Sequence, residues 1–557
     1  MRGLRRIFQR LTLRGLLWLA ALPVLFVGLG RFDVTFHMEA MTLTPSQETW
    51  RRQMAGENEA WLHPSLYGVP RVNKPPLTVW VNMLAWTGFD LATPTDALVL
   101  RARLVAVALA VLTILATGWA GAARGNRRTA VLAMLVLATM MLFVRKGRLA
   151  TYDIYLLAWC TLAVAAGWHA LWRAATARTR WLCWTLAGAA TGLAVLSKGP
   201  IAYLFTAAPW VLGVLATRER RVGAWPGVFA ALAVSLAVAA PWFVHVLQEV
   251  TGAGDHLATE FRARRKRAAP PWYYLGLIGL VFPWSLALVA GVTASLRTRL
   301  RDLPRFRFDP VVAWFLWIFI VMSLPEAKQQ RYILPILPAA ALIIARWWRF
   351  GGGPARHRWE AAHRVVLWVG AAAFAVFPVV QDPLVRAGLL RSPEITGVPW
   401  VVLFAAAGVM ALLAAAASRW LREGRRTAAA AATAVWFSAA GIPGFYGYAL
   451  APRHQYATRP DAERVAQEAG ALEVGYYSPP YREWWQSQPD AQFQLYSRLI
   501  IRPVSPEILT GPDAPPLLLA EDLPEPAADL RAAGYQDTGF TLRDNRGTRR
   551  LWRHPLP

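Results

Sequence analysis

The sequence predicts a polytopic α-helical membrane protein with a small soluble α/β domain at its C-terminal end. Three observations lead there. Of 557 residues, 56% are hydrophobic and only 17% are charged, and the mean hydropathy is +0.31. Near-continuous apolar runs such as Leu104–Ala120, Val228–Val246 and Val311–Leu324 recur along the chain, and the longer ones approach the roughly 20 helical residues that a hydrocarbon core requires. The 28 tryptophans gather near the ends of these runs, as an interfacial aromatic belt does.

Taken in order, the basic segment Arg2–Arg14 precedes the first apolar run with no convincing small-residue cleavage site after it. It reads as an uncleaved signal-anchor with a cytoplasmic N-terminus. Spans are predicted near 13–30, 102–121, 129–146, 153–173, 181–197, 200–217, 225–247, 273–295, 309–324, 332–348, 364–381, 398–417 and 427–450. These thirteen crossings place the two termini on opposite faces. Alternate loops, Ala123–Arg128, Arg173–Arg180, Arg218–Arg221, Arg297–Arg307, Arg346–Arg358 and Arg419–Arg426, are rich in arginine, which assigns them to the cytoplasm. The opposite loops face the periplasm of a bacterial inner membrane. The first of them, 31–101, is long and holds two amphipathic pieces, Trp50–Glu57 and Thr78–Trp86, suited to the membrane surface. Counting Leu77–Trp86 as a crossing would reverse every later loop, so it is not one.

After residue 451 the composition turns polar, with proline and glycine punctuation. Residues 1–451 form the predicted membrane domain, and 452–557 a soluble periplasmic domain, with a helix at Asp461–Ala469 and strands at Leu472–Tyr477, Gln492–Tyr496 and Pro516–Ala520. The net charge of +27 sets membrane orientation through loop arginines, so nucleic acid is excluded as a partner. Cys160 and Cys183, the two cysteines, lie inside predicted spans, which leaves no disulfide framework and no thiolate metal site. No His/Cys/Asp cluster has metal-ligand spacing; His37 and His63 read as structural. No cofactor requirement is evident, and metal dependence stays open.

Chemistry concentrates on the outer side. Against 55 arginines (60 Lys plus Arg, less five Lys), all five lysines, Lys74, Lys146, Lys198, Lys266 and Lys328, fall in predicted outer segments. Compact cations there suit a cavity that holds a phosphate. The run Arg262–Arg267 makes loop 248–272 an exception to the charge pattern, and it suits either a phosphate or acidic lipid headgroups. Asp153 opens a span, a position that marks a functional candidate, with Arg148 as a nearby partner. Glu39 follows the first span in the long outer loop, with Asp33 and Glu48 close in sequence.

Read in order, several blocks resemble the GT-C superfamily of polyprenyl-phosphate-sugar glycosyltransferases, and in particular the branch of lipid A aminoarabinose transferases and bacterial protein O-mannosyltransferases. The blocks are His63-Pro64, Gly68, Lys74-Pro75-Pro76-Leu77, Arg148 with Asp153, Leu196-Ser197-Lys198-Gly199-Pro200 and Pro241-Trp242. They continue with Glu260-Phe261-Arg262, Trp272-Tyr273-Tyr274, Pro283-Trp284 and Tyr332-Ile333-Leu334-Pro335. The resemblance runs from about Phe32 to Pro338. It implies a lipid-phosphate-sugar donor, an outward active site, inversion at the anomeric carbon, and lipid A, a glycan or a protein as acceptor. The family carries an Asp-Glu pair in the first outer loop, where this sequence reads Met38-Glu39. On that reading Glu39 and Asp153 are the catalytic carboxylates, with Asp33 and Glu48 as alternatives for the first. Lys74, Lys198, Arg262, Arg264, Arg331 and Tyr332 are the donor-phosphate ligands, with Arg148 and Tyr274 in support. Two other classes compete. A lipid-linked-sugar flippase would show inverted repeats, and none is found; an inactive envelope scaffold draws its support from Met38.

Overall fold

The computed structural model of the protein describes residues 15, 23–216, 221–250, 269–301, 309–352, 355–386, 398–450, 458–470, 472–480, 487–544 and 547–555. In chain order the helices begin with α1 (His37–Met54), α2 (Leu77–Ala85), α3 (Thr95–Arg124), α4 (Arg127–Ala138), α5 (Met141–Gly147) and α6 (Tyr152–Trp172). They continue with α7 (Ala177–Lys198), α8 (Ala202–Leu215), α9 (Arg221–Glu249), α10 (Leu277–Leu280), α11 (Ser285–Arg301) and α12 (Pro310–Ser323). Then come α13 (Leu337–Phe350), α14 (Ala355–Arg386), α15 (Trp400–Arg422), α16 (Arg426–Leu450), α17 (Thr458–Ala469), α18 (Ala491–Ser497), α19 (Pro506–Leu509) and α20 (Pro524–Ala532).

The chain is a mostly helical, multi-span membrane protein. Among the described residues, Thr95–Arg124, Tyr152–Trp172, Ala224–Glu249, Gln330–Phe350, Arg356–Val380 and Trp400–Arg422 are long and apolar enough to cross a membrane. α4 and α5 together make a seventh such stretch, bent by 67°. The bend falls where Met140 leaves helical backbone geometry. The predicted first span, 13–30, lies largely outside the described residues. The predicted span 273–295 is broken: a 3-10 turn (Pro271–Gly276), α10 and the start of α11 share it, and the break falls at Pro283, which has no N–H to donate. α2, at nine residues, rises only about 14 Å, under half of the roughly 30 Å core.

The described chain falls into two compact units. The first holds 1–32, 103–244 and 258–451; the second holds 33–102, 245–257 and 452–557. The C-terminal segment therefore shares a unit with the first long loop rather than standing alone.

Within the first unit, α6 and α7 pack along their lengths. α6 presents apolar residues on every side, as a helix enclosed by others does, and its Thr161 hydroxyl donates to the Leu157 carbonyl at 2.7 Å. α7 lies close against α9 through small residues. A Cβ added to Gly188 would sit 2.4 Å from the Ala231 carbonyl oxygen, and one added to Gly192 would sit 2.6 Å from Val238 Cβ. Only glycine permits that approach within the membrane.

Within the second unit, α1 is a polar helix whose middle, Thr42–Trp50, is buried. Pro45 interrupts it and cannot donate to the Met41 carbonyl four residues back; the Arg71 guanidinium supplies that bond instead. β1 (Ser65–Leu66) and β2 (Val69–Pro70) pair antiparallel around Tyr67 and Gly68, both left-handed at φ 59° and 70°, as a two-residue hairpin of type I′ requires. The C-terminal part carries a five-stranded sheet in the order β4-β3-β5-β7-β6. β3 (Val474–Tyr477) runs parallel to β4 (Arg502–Val504) and to β5 (Leu517–Glu521), and β7 (Gly547–Arg553) runs antiparallel to β5 and to β6 (Gln536–Asp544).

Gln492–Tyr496 is helix, not the predicted strand. Asp490 caps α18 by accepting from the Gln492 N–H at 3.1 Å, and Arg498 ends it in a left-handed conformation. The alternating Gln-Phe-Gln-Leu-Tyr pattern misled because every residue of this short helix is buried, so no polar face marks the helical period.

Candidate active site

In the first unit the buried carboxylate Asp153 collects three cations. It lies in the first turn of α6, where the helix dipole favours an anion. Its Oδ1 accepts from Lys198 Nζ, and its Oδ2 stands 3.8 Å from Arg331 Nη1. Lys146 is within electrostatic reach. The side chains of Asp153, Arg331 and Lys198 are 4%, 9% and 19% exposed, so solvent screens the group little. One negative and three positive charges sum to +2 over these four side chains.

Local sequence places each cation. Lys198 is the last residue of α7, where a positive charge complements the dipole, and Gly199 closes the helix at φ +90°. Arg331 and Tyr332 ride on the 3-10 turn Gln330–Ile336. Tyr274 fixes the start of that turn by donating to the Gln329 carbonyl at 3.1 Å. The Tyr332 ring lies 5.3 Å from Lys198 Nζ and 5.1 Å from the Arg331 guanidinium, within cation–π range, and Arg331 Nη2 reaches the Tyr332 hydroxyl at 3.5 Å. Arg331 Nε is buried with no hydrogen-bond partner.

Arg148 does not pair with Asp153. Its guanidinium donates to the Val27 carbonyl, near the place where Arg103 donates to the Leu29 and Phe32 carbonyls at 2.8 and 2.7 Å. Both arginines thus serve the carbonyls that end the first apolar run, whose last residues leave helical geometry and expose backbone acceptors. Lys328 is likewise tied to carbonyls, of Pro325 at 2.6 Å and of Ala269 at 2.9 Å.

The second unit holds the remaining candidates. Glu39 is fully buried in the first turn of α1. Lys74 is half-buried in the turn ahead of α2. Arg71, bonded to α1 at Met41, anchors that turn on one side, and Asn82 anchors it on the other by donating to Ser46 Oγ at 3.0 Å. Asp33 accepts from Arg459 at 3.0 Å, and the same guanidinium also holds Asp96 and Glu463.

Glu48 accepts from the backbone N–H groups of Tyr67 and Gly68, both at 2.9 Å, from Ser65 Oγ at 2.5 Å and from Gln494 Nε2. Burial pushes its carboxyl above the usual range, against the pull of these four donors. Its acceptor positions are all used in holding the hairpin and α18. Arg262 and Arg264 lie outside the described residues. Sequence resemblance assigns Asp153, Lys198 and Arg331 to one site; that they pair with one another was not legible, because they are 45 and 178 residues apart along the chain.

The family model for dolichyl-phosphate-mannose-protein mannosyltransferases matches residues 18–251. An undecaprenyl phosphate-α-4-amino-4-deoxy-L-arabinose arabinosyl transferase of Sodalis glossinidius is 27% identical over 70% of this chain and 67% of its own length. The transferase of the same description from Pectobacterium atrosepticum is 31% identical over 52% of this chain and 51% of its own length. The matches thus span half to two thirds of these relatives. Crystal structures of ArnT from Cupriavidus metallidurans, in the apo state and bound to undecaprenyl phosphate, each superpose with a TM-score of 0.71 at 20% identity, covering 99% of this chain and 98% of ArnT. The fold is therefore that of ArnT, and this is an inner-membrane protein. Over part of its length the chain is thus similar to the aminoarabinose and protein mannosyl transferases, and it shares the fold of ArnT.

Proposed function

We propose that the chain transfers 4-amino-4-deoxy-L-arabinose, or a related sugar, from an undecaprenyl-phosphate carrier to a lipid A phosphate, with a glycan or protein hydroxyl as the alternative acceptor. The observation that carries this is the +2 sum of the largely buried charges around Asp153, a charge match for a lipid phosphate. In the reaction the bond from the anomeric carbon to the carrier phosphate oxygen breaks, and its electron pair leaves with the phosphate. An acceptor oxygen forms the new bond from the opposite face, inverting the carbon. Lys198, Arg331 and Lys146 stabilise the charge that develops on the phosphate, and the Tyr332 hydroxyl donates to it. Asp153 orients Lys198 and Arg331. Lys74, Arg262 and Arg264 are assigned to the same anion by resemblance.

On the acceptor side Glu39 stands where the family's Asp-Glu pair begins the first loop. A lipid A phosphate is already ionised and needs no proton removed, so there Glu39 orients; a hydroxyl acceptor would use it as a general base. The arginine pattern of the loops supports thirteen crossings with a cytoplasmic N-terminus, and a periplasmic location for the soluble segment 452–557.

The test is transfer by the purified protein from undecaprenyl-phosphate-linked aminoarabinose to lipid A. Transfer that Lys198→Met and Asp153→Asn abolish supports the reading. Tight donor binding without transfer or hydrolysis would identify a flippase or a scaffold instead.

A further inference from the structure

The second unit holds two arginines that the chemistry above leaves unused. Arg51 and Arg52 stand side by side in the last turn of α1, with different surroundings. Arg52 is fully engaged: it donates to Glu57, to the His63 carbonyl at 3.1 Å and to Ser65 Oγ at 2.8 Å. Arg51 is half-buried, and its Nη1 is shut away from solvent with no hydrogen-bond partner. Burial and the neighbouring Arg498 guanidinium pull Arg51 below the usual arginine range, yet an arginine keeps its charge in a protein. The nearby carboxylates are committed elsewhere. Glu48, one turn earlier on α1, serves the hairpin and α18, Glu57 pairs with Arg52, and Asp90 accepts from the Thr93 hydroxyl at 2.7 Å.

Arg498 is positioned by its backbone and by its head group. It ends α18 at φ 61°, where glycine or asparagine is the usual residue, so what arginine adds there is its guanidinium. That group donates to the Leu91 carbonyl, in the loop between α2 and α3. Arg101 pins the same loop by donating to the Ala85 and Thr87 carbonyls at 3.0 and 3.1 Å. A guanidinium has five N–H donors in a planar fork, and the bond to Leu91 uses a fraction of them. Apolar surface borders the two charges: Leu91 is exposed, and so is Met54, which lies one turn beyond Arg51 on the same face of α1.

Resting on the transfer reading above, we propose that Arg51 and Arg498 bind a second phosphate of a glycolipid acceptor, the one that does not react. Guanidinium forks match phosphate oxygens bidentately, and a phosphate supplies the acceptor that Arg51 Nη1 lacks. It also offsets the repulsion between the two cations. Twelve residues of α1 separate Arg51 from Glu39, a rise of about 18 Å, which a short sugar chain with an anion at each end can bridge. The pair selects acceptors that carry two phosphates over those that carry one.

The test uses full-length protein in detergent, undecaprenyl-phosphate-linked aminoarabinose as donor, and bis-phosphorylated or mono-phosphorylated lipid A as acceptor. Arg51→Gln and Arg498→Gly, the second of which suits the left-handed backbone, should each raise KM for the bis-phosphorylated acceptor about tenfold, as loss of one charge-assisted hydrogen bond does. The kcat and the donor KM should hardly move, Arg51→Lys should recover part of the loss, and on the mono-phosphorylated acceptor parent and variants should coincide. Equal losses on both acceptors, or none on either, would overturn the proposal. Binding of the two glycolipids without donor separates the subsite from the reaction. A parent that transfers to neither, yet binds the bis-phosphorylated form more tightly through Arg51 and Arg498, keeps the subsite while the transfer reading falls. Phosphatidylglycerol competing for that binding with equal strength would assign the arginines to membrane headgroups and sink the proposal.

Discussion

Lys198, the last residue of α7, ion-pairs with Asp153, the second residue of α6. The pairing unites two local preferences. A carboxylate is favoured in the first turn of a helix and an ammonium in the last, and the antiparallel packing of consecutive helices brings those two ends together. Each charge serves its own helix before it serves the pair. The site is thereby held in shape before any substrate arrives, while Arg331 and Lys146 supply positive charge beyond what Asp153 neutralises.

Breaking this pair should separate stability from chemistry. Asp153→Asn leaves buried cations without their counter-charge, a loss of roughly 3–5 kcal/mol for a buried pair, read as a lower thermal midpoint of the detergent-purified protein. Lys198→Met alone should lower kcat by about 100- to 1,000-fold, the usual effect of removing one group aimed at developing charge. The double variant Asp153→Asn/Lys198→Met is expected to regain most of the stability and none of the activity. A double variant as unstable as Asp153→Asn would mean that Asp153 supports the fold by some other contact.

On the proposed function, Tyr274 acts on the donor only through the 3-10 turn that carries Arg331 and Tyr332. Tyr274→Phe removes its bond to the Gln329 carbonyl, a net change of about 1 kcal/mol, or about fivefold. The expectation is a KM for donor raised by that factor with kcat nearly unchanged, because a displaced Arg331 weakens ground-state and transition-state phosphate alike. A fall in kcat at constant KM would instead give Tyr274 a direct role in the reaction.

Glu48 should prove structural. Glu48→Ala leaves the Tyr67 and Gly68 N–H groups without their acceptor, at about 1–3 kcal/mol per buried group, read as faster amide exchange in the β1–β2 hairpin of the full-length protein. The pH dependence follows from burial, which raises the folded-state pKa above the ordinary 4.5. A raised value means that the folded state binds the proton more tightly. The contribution of Glu48 is therefore fully present below pH 4.5 and is lost as pH rises through the shifted value. Glu48→Gln, which does not titrate, should flatten that dependence; hairpin exchange that stays pH-dependent in Glu48→Gln would move the titration to another group.

The membrane architecture was legible because length and hydropathy act locally: a run of apolar residues between arginine loops is enough to place α3, α6 or α9. The carboxylate Asp153 was legible for the same reason, since an acid at the mouth of an apolar helix stands out by itself. Its partners were not. Arg148, five residues away, was the natural choice from sequence, yet the turn between α5 and α6 aims its guanidinium at the Val27 carbonyl, and Arg331 arrives from another helix altogether. The C-terminal part shows the same limit in another form. Its helix α18 is buried on all sides, so periodicity vanished, while Asp490 and Arg498 marked the ends that the pattern did not.

The departure at Met38 can be turned into a reading of the acceptor. With an ionised lipid A phosphate no proton leaves the nucleophile, so Glu39 need not act as a base, and Glu39→Gln should slow transfer by less than about tenfold. A hydroxyl acceptor reverses this expectation. The same substitution would then cost about 10²–10⁴ in kcat, the range for loss of a positioned general base. Met38→Asp supplies the complementary measurement, since it restores the Asp-Glu pair at the start of α1. For a phosphate acceptor the added carboxylate brings like charge towards the nucleophile and should reduce transfer, whereas for a hydroxyl acceptor it adds a second base and should leave transfer equal or faster. Opposite responses of Glu39→Gln and Met38→Asp on the two acceptors would fix which oxygen this protein glycosylates.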